Sequence, residues 1–571
     1  MLSREYTGPF GENGAATDVR WLLADRVSRA LSDARLESLA DPVERIARLA
    51  VPAGRVNPFR WLSEQRMFPK VYWSGREDRA GVAAVGIADL REAGVSEGPG
   101  SLSKLLALLP DSGVSGARYY GGARFDPLGQ PDEEWAAFNA YRFVLPRFEL
   151  HAGETTLVCN LVLPRDMDDA SKIVQEIEDL SLPEGASGAL LPAPMFREDS
   201  PDFQGWRENV ERALEVFTEG RLGKVVLARR AEFVFCRDLD PTLLLESLKA
   251  ATPGCFHFYA EPESGTAFLG ASPERLFRRE GRSVESEAVA GTRPRGVSSM
   301  EDEGLRDDLL HSAKDLSEHT YVSKGIREAL EPLCEELEIE DCVSEMMLAR
   351  GRHLRSKVSG TREDSVTDAA LLDAMHPTPA VCGHPRIEAL EHIHALEPFD
   401  RGWYAGPVGW IGQEASEFAV GIRSGLVRGQ TLALYSGAGI VAGSVPDEEW
   451  AEIEQEADAS FLQPAFLQEC RVRGGRVRLA HDCGRVVRVV AGDGLEDRDG
   501  RGGQTPRLSR SAPGHGVYRN QRALQRRAGR PARCRRRRRR QAEGFALRRA
   551  GLRGRVLLLP GQPAPGALDR R

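Results

Sequence analysis

The sequence predicts a globular protein that mixes helices with many short strands. In several segments apolar residues recur three and four positions apart, which is typical of amphipathic helices. Other segments, such as Thr156-Leu-Val-Cys-Asn-Leu-Val-Leu, are short apolar runs between turn residues, which is typical of strands. The 571 residues are 41% hydrophobic and 28% charged, an ordinary composition for a folded protein that is large enough for more than one domain.

The helical segments are found throughout the first 470 residues. Residues 1 to about 55 are predicted to be helical, because Trp21-Leu-Leu-Ala-Asp-Arg-Val-Ser-Arg-Ala-Leu and Val43-Glu-Arg-Ile-Ala-Arg-Leu-Ala both carry this spacing. The later predicted helices are Trp206 to Glu219, Asp307 to Glu336 and Asp447 to Leu462.

Strands are predicted between these helices. The clearest are the runs that begin at Ala83, Thr156, Gly223 and Thr266, the last of which leads into a turn at Ser272-Pro-Glu-Arg275. From Gly360 to Ile440 the chain alternates glycine-rich turns with short apolar strands. Such a segment can bring side chains and backbone N–H groups to one place, where they bind a small carboxylate.

The charge divides the chain into two parts. Residues 471–571 hold 28 Arg, no Lys and 7 acidic residues, a net charge of +21, which leaves −29 for residues 1–470. We predict one folded domain over 1–470 and a disordered Arg-rich tail over 471–571. The tail lacks Lys, Ile, Met and Trp altogether, so translation of a GC-rich gene out of frame is one explanation. Electrostatic binding of nucleic acid is the alternative.

Cysteine usage and hydropathy indicate a cytoplasmic protein. The nine cysteines are scattered, without a C-x-x-C pair or a Cys/His cluster at zinc spacing, so they are predicted to be reduced thiols. No run reaches about 18 apolar residues, and the first residues lack the pattern of an export signal. We therefore expect no contact with a membrane.

Two charged residues at strand ends are candidates for acid and base chemistry. Lys224 opens an apolar strand, and a lysine held against dry neighbours can accept a proton. Glu274 lies in the Ser-Pro-Glu-Arg turn, and a partly buried carboxyl can donate one. Taken alone, the two residues favour the alternative, an ordinary solvated Lys and Glu.

Two acidic pairs on predicted helices are candidates for metal binding. Asp315 and Glu318 are three residues apart, as are Glu449 and Glu452, so each pair lies on one helix face. If the two helices face each other, their oxygens suit Mg²⁺ better than softer metals. Solvated acidic helix faces are the alternative.

The glycine-rich segment supplies candidates for carboxylate binding. Arg423 can hold a carboxylate through two parallel hydrogen bonds, and Tyr404 offers a hydroxyl. Gly437 and Gly439 let the backbone approach a ligand closely. A structural arginine and ordinary turn glycines are the alternative.

The motifs of this segment also carry a family resemblance. They resemble the chorismate-utilising enzymes, and among them isochorismate synthases, especially those of menaquinone synthesis. The resemblance extends from about residue 60 to about residue 465. The motifs are His376-Pro-Thr-Pro-Ala-Val-Cys-Gly383, Leu396-Glu-Pro-Phe-Asp-Arg401, Tyr404-Ala-Gly-Pro-Val-Gly-Trp410, Val420-Gly-Ile-Arg423 and Ser436-Gly-Ala-Gly-Ile440.

This resemblance implies an α+β fold, with large antiparallel sheets and helices packed outside. It implies that Lys224 is the general base and Glu274 the general acid. It also implies that Mg²⁺ is bound by Glu318 and Glu452, with Asp315 and Glu449 assisting. The residues expected to bind chorismate are Gly291, Thr292, His353, Ala380, Tyr404, Arg423, Gly437 and Gly439.

Two positions distinguish members of the family. Anthranilate and salicylate synthases tend to carry Thr where this chain has Ala380, and the members that use ammonia commonly have Gln at the position of Lys224. Water is therefore the expected nucleophile, and isochorismate the expected product. A salicylate or aminodeoxychorismate synthase is the alternative. The chain departs from the family at Glu456, where a Lys is usual.

The expected partner is thus the small molecule chorismate. The protein is expected to be a monomer or a weak dimer.

Overall fold

The computed structural model describes most of the chain before residue 458. The described residues are 18–37, 44–77, 80–94, 116–127, 129, 131–185, 191–349 and 351–457, with the backbone of three strands at 469–472, 475–482 and 485–489.

Twelve strands of the described residues form the larger sheet, in which neighbours pair antiparallel. In spatial order they are β1 (Arg45–Pro52), β8 (Thr156–Leu163), β7 (Phe148–His151), β3 (Val82–Val85), β2 (Lys70–Ser74), β11 (Phe256–Glu263), β12 (Thr266–Ser272), β21 (Ser424–Arg428), β22 (Thr431–Val441), β10 (Lys224–Phe235) and β18 (Gly383–His384), with β9 (Pro194–Ser200) also paired to β10.

A second antiparallel sheet contains ten strands of the described part of the chain. In spatial order they are β15 (Cys334–Ile339), β17 (Gly351–Arg362), β14 (Ser283–Pro294), β13 (Arg275–Glu280), β20 (Ala415–Val420), β19 (Pro407–Ile411), β5 (Tyr119–Ala123), β6 (Tyr141–Leu145) and β4 (Asp89–Ala93), with β16 (Ser344–Met347) paired to β17.

The helices pack against these sheets. They are α1 (Val19–Glu37), α2 (Pro58–Glu64), α3 (Ala170–Glu178), α4 (Phe203–Thr218), α5 (Pro241–Ala251), α6 (Ser299–His311), α7 (Ala313–Leu330), α8 (Asp368–Met375), α9 (Arg386–Leu396) and α10 (Pro446–Ala457). Short 3₁₀ helices cover Glu133–Phe138, Arg165–Met167 and Glu331–Leu333. No helix that the structure describes has both the length and the apolar composition needed to cross a bilayer.

Two apolar cores hold these layers together. The first contains side chains of both sheets, such as Phe258 and Phe268 from the larger and Phe277 and Phe418 from the smaller. The second core packs helices α1, α2, α3 and α5 against strands of the larger sheet. Burying aromatic and aliphatic side chains on both faces of a sheet provides most of the stability of such a fold.

The predicted α+β architecture of antiparallel sheets and outer helices is confirmed, but two predicted helices are wrong. Residues Arg45–Ala50 of the first predicted segment belong instead to strand β1, which pairs with β8 along its whole length. The side chain of Arg48 there bonds Glu149 and Asn160, so cross-strand contacts decide the conformation rather than the helical spacing.

The predicted long helix Asp307 to Glu336 is also divided in the structure. Ser312 has extended backbone angles, ends α6 and caps α7 by accepting a hydrogen bond from the N–H of Asp315. At the other end, Cys334 begins strand β15 instead of continuing the helix. The last predicted helix begins at Pro446 as expected, and its predicted residues after 457 lie outside the described residues.

The predicted tail is covered only in part. Three antiparallel strands are assigned within it, β23 (Glu469–Val472), β24 (Gly475–Asp482) and β25 (Arg485–Val489). Residues 490–571 lie outside the described residues, so the division into a domain and a disordered tail stays a prediction.

Candidate active site

Lys224 is the first residue of β10, as predicted, and its side chain is fully buried. Its Nζ lies 3.0 Å from Oε1 of Glu318 on α7. Among the described residues, no acceptor meets Nζ with good hydrogen-bond geometry. Because a lysine nitrogen can make three hydrogen bonds, the ion pair leaves it able to contact a further oxygen atom.

Glu274 lies in the turn between β12 and β13, where the chain passes from the larger sheet to the smaller one. Glu274 is only 5% exposed to solvent. Burial, with a contribution from the charge of Glu287, raises the pKa of Glu274 to about 8, although Lys224 and Arg423 oppose the shift. At neutral pH this carboxyl is therefore mostly protonated and can donate a proton.

Arg423, His353 and Thr292 form a hydrogen-bonded chain across the two sheets. Nη2 of Arg423 lies 2.8 Å from Nε2 of His353. On the other side of the ring, Nδ1 lies 3.2 Å from both the Gly291 carbonyl oxygen and Thr292 Oγ1. Burial and the charge of Arg423 lower the pKa of His353 to about 3. The neutral imidazole thus accepts from Arg423 through Nε2 and donates to the Gly291 carbonyl through Nδ1–H.

The backbone of Arg423 has a conformation that is rare for residues other than glycine. Its φ angle is +50°, in the left-handed region. Its carbonyl accepts a hydrogen bond of 3.1 Å from the N–H of Ala271. Strained backbone of this kind is often found at functional sites, where the surrounding contacts keep it in place.

Tyr404, Gly437 and Gly439 lie close together. The ring of Tyr404 stacks on Tyr435, with centroids 5.1 Å apart. Both glycines lie inside strand β22, so the alternative that they are ordinary turn glycines is wrong. Their role is to leave space: a Cβ at Gly437 would lie 2.9 Å from the Tyr404 hydroxyl, and one at Gly439 only 2.2 Å from Oε1 of Glu318.

The two predicted acidic pairs lie on α7 and α10, but not all four carboxylates are available. Oδ2 of Asp315 accepts a hydrogen bond of 2.7 Å from Arg293. Glu449, which is 1% exposed, pairs with Lys314. Among the described residues, no three metal-ligating side chains are gathered as a site.

Glu318 and Glu452 remain as candidate metal ligands. Both line the same cavity, one from each helix, and the carboxylate of Glu318 occupies the space left by the missing side chain of Gly439. Carboxylate oxygens with room for water fit the preferences of Mg²⁺. These two carboxylates therefore fit the preferences of the ion, and the predicted assistance of Asp315 and Glu449 stays a prediction.

Most of the predicted site residues line this cavity, which is partly open to solvent. They are Glu274, Gly291, Thr292, Glu318, His353, Ala380, Tyr404, Arg423, Gly437, Gly439 and Glu452. Lys224 adjoins the cavity through Glu318. Glu456 lies on α10, and its side chain is outside the described residues.

The residues that hold the site residues in place were not predicted from the sequence. Lys314 and Arg293 were not predicted, although each neighbours a predicted residue, Asp315 or Thr292, in the sequence. Arg76 and Glu287 were also missed: they form a buried ion pair beneath Glu274. Arg76 lies among other charged residues in the run Arg76-Glu-Asp-Arg79, and Glu287 follows Glu285 and Ser286 in β14, so no sequence signal singles out either residue.

Comparisons with known proteins agree with this geometry. A family model described as "Chorismate binding enzyme" matches residues 31–458. Isochorismate synthase 2, chloroplastic, of Arabidopsis thaliana is 37% identical over 352 residues, which are 59% of this chain and 62% of that protein. The chain thus spans less than two thirds of that plant relative. The isochorismate synthase MenF of Escherichia coli is 30% identical over 404 residues, 70% of this chain and 88% of that protein.

The solved structure of MenF, the menaquinone-specific isochorismate synthase from Escherichia coli, superposes with a TM-score of 0.65 at 28% identity. It covers 76% of this chain and 98% of that one. The resemblance inferred from the motifs is therefore confirmed, because sequence and fold agree over the region that builds the cavity: the chain belongs to the family of chorismate binding enzymes.

Proposed function

We propose that this protein converts chorismate to isochorismate. The proposal is carried by two groups at one cavity. One is a buried lysine nitrogen that can make further hydrogen bonds, and the other is a carboxyl that is protonated at neutral pH. Lys224 and Glu274 are these two groups. Several relatives named isochorismate synthase support the same reaction.

In the proposed reaction, Lys224 acts as the general base and takes a proton from water. The oxygen of that water forms a bond to carbon 2 of the ring, and the ring double bonds shift. The bond between carbon 4 and its hydroxyl breaks, and Glu274 protonates the departing oxygen, which leaves as water. One proton has then passed to Lys224 and one has left Glu274, so exchange with solvent restores both groups.

The remaining residues bind and orient the substrate. Arg423, held by His353, is placed to bind a carboxylate of chorismate through its guanidinium group, and Tyr404 adds a hydroxyl. We further propose that the enzyme uses Mg²⁺, held by Glu318 and Glu452. The ion would offset the negative charge of the substrate carboxylates.

The proposal is tested by incubating the full chain with chorismate and Mg²⁺. Product is identified by chromatography and NMR, because isochorismate has the same mass as chorismate. We expect isochorismate, no pyruvate, and loss of turnover with a chelator. Release of pyruvate would instead indicate a salicylate synthase, and an aminated product formed only when ammonia is added would indicate an aminodeoxychorismate synthase. Unchanged chorismate would refute the proposal.

We propose that the product serves menaquinone or siderophore synthesis, and the first is supported by the similar Escherichia coli structure, which is described as menaquinone-specific. We propose that the enzyme acts in the cytoplasm. The cysteines of the described residues are free thiols, which suits a reducing compartment.

A further inference from the structure

The turn that carries Glu274 is fixed by the residues on either side of it. The N–H of Glu274 donates to Ser272 Oγ at 3.2 Å, and its carbonyl accepts from the N–H of Val420 at 3.1 Å. These bonds fix the backbone of Glu274 itself. They do not explain how the neighbouring residues Pro273 and Arg275 are held, although the direction of the Glu274 side chain depends on both.

One buried ion pair contacts both of these neighbours. Nη1 of Arg76, which follows β2, donates to the Pro273 carbonyl at 2.8 Å and to Oε1 of Glu287 at 2.5 Å, while its Nη2 donates to Oε2 at 3.0 Å. Oε1 of Glu287, on β14, also accepts from the N–H of Arg275 at 3.1 Å. The Arg76 and Glu287 side chains are 11% and 3% exposed.

We propose that Arg76 and Glu287 are positioning residues for the general acid: their ion pair holds the turn on both sides of Glu274, and the Glu287 carboxylate keeps the Glu274 carboxyl protonated. Neither residue lines the cavity, so they act through Glu274 and not on the substrate. The assignment rests on the proposed function insofar as Glu274 is the acid of that reaction.

The charges around Glu274 support the second part of the proposal. The charge of Glu287, on β14, disfavours the ionised form of Glu274. The charges of Lys224, on β10, and of Arg423, the residue before β21, favour that form. Arg76 forms two hydrogen bonds with Glu287 and keeps its carboxylate in place. Removing the charge of Glu287 while keeping its shape should therefore let Glu274 lose its proton at lower pH.

The test combines two readouts on the full chain. The first is infrared difference spectroscopy during a pH titration without substrate, in which the band of the protonated carboxyl is identified by its absence in Glu274→Gln. The second is kcat and KM for chorismate as a function of pH. In Glu287→Gln we expect the band and the basic limb of the kcat profile to move down by about one pH unit.

At pH 9 this shift corresponds to a loss of kcat of roughly tenfold, with little change at pH 6.5 and a KM within about twofold. Glu287→Asp keeps the charge but shortens the side chain, so kcat should fall at every pH while the limb stays in place. Arg76→Gln should lower kcat at every pH, and Arg76→Lys should recover part of the loss.

Arg279→Gln is the matched control. Arg279, on β13 of the smaller sheet, is similarly buried and pairs with Asp368 of α8, so its loss should affect stability but not the position of the basic limb. The inference would be overturned if neither the infrared band nor the basic limb of the kcat profile moved in Glu287→Gln. It would also be overturned if the kcat of Arg76→Lys were no higher than that of Arg76→Gln. If the wild type does not turn over chorismate, the proposed function fails, and the infrared titration still decides the role of Glu287.

Discussion

Lys224 is held by one carboxylate and yet has hydrogen-bonding capacity left, which is the condition for a residue that must contact a water molecule during the reaction. We predict that Lys224→Gln lowers kcat by about 10²- to 10⁴-fold, the usual contribution of a general base. The measurement is steady-state turnover of chorismate, with circular dichroism to show that the variant is folded.

Lys357→Gln serves as the control for this prediction, because Lys357 is exposed on β17 and should be dispensable. A Lys224→Gln enzyme with kcat within about threefold of the wild type would contradict the role of the lysine, since general-base contributions are much larger than this.

Glu274 should also leave a signature in stability. Its pKa is about 8 in the folded protein and about 4.5 in an unfolded chain, so the folded state binds one more proton between these values. Stability therefore falls as pH rises through this window, by roughly 2–4 kcal/mol for this one group. We predict that Glu274→Gln removes that decline, so that the variant gains in free energy of unfolding over the wild type from pH 5 to pH 8.

The measurement is denaturant unfolding at several pH values. Glu303→Gln, on the exposed face of α6, is the control and should show no pH-dependent gain. A constant difference between Glu274→Gln and the wild type across this range would mean that Glu274 ionises in its ordinary range in the folded protein.

At the scale of elements, strand β22 shows how a glycine can be required for function without being required for folding. A Cβ at Gly439 would lie 2.2 Å from Glu318 Oε1 and 3.0 Å from Lys224 Cε. The ends of flexible side chains can move aside, so the sheet should form. Glu318 would then turn away and lose its contact with Lys224.

We therefore predict that Gly439→Ala lowers kcat at least about tenfold while the melting temperature falls by only a few degrees. Gly304→Ala on α6 is the matched control, because a Cβ there meets no atom within 4 Å. That change should be neutral or stabilising by up to about 1 kcal/mol. Full activity of Gly439→Ala would show that the pair of Lys224 and Glu318 is not needed.

The elements also show what periodicity could and could not predict. The strand that begins at Lys224 and the turn at Glu274 were predictable, because an apolar run and a Ser-Pro dipeptide are local signals. The break at Ser312 was not, since the apolar spacing continues across it and only the cap reveals it. Strand β1 was missed because its conformation depends on β8, more than one hundred residues away.

At the scale of the whole molecule, the sequence indicated which residues meet, but only through family resemblance. His353 and Arg423 are 70 residues apart and belong to segments in different sheets, and no pattern within either segment predicts that they touch. The salt bridges of Asp315 with Arg293 and of Glu449 with Lys314 could not be predicted for the same reason, because tertiary packing determines which residues pair.

The charge asymmetry of the chain leads to the last prediction. Every described residue that lines the cavity lies before residue 457, and residues 1–493 form one compact unit. A chain that ends at Asp493 should therefore keep kcat and KM for chorismate within about twofold of the full chain. This truncation removes most of the arginines of the +21 tail, so binding to a heparin column should weaken and lose much of its salt dependence. A truncated chain that folds but turns over chorismate at least tenfold more slowly would show that residues 494–571 contribute to turnover.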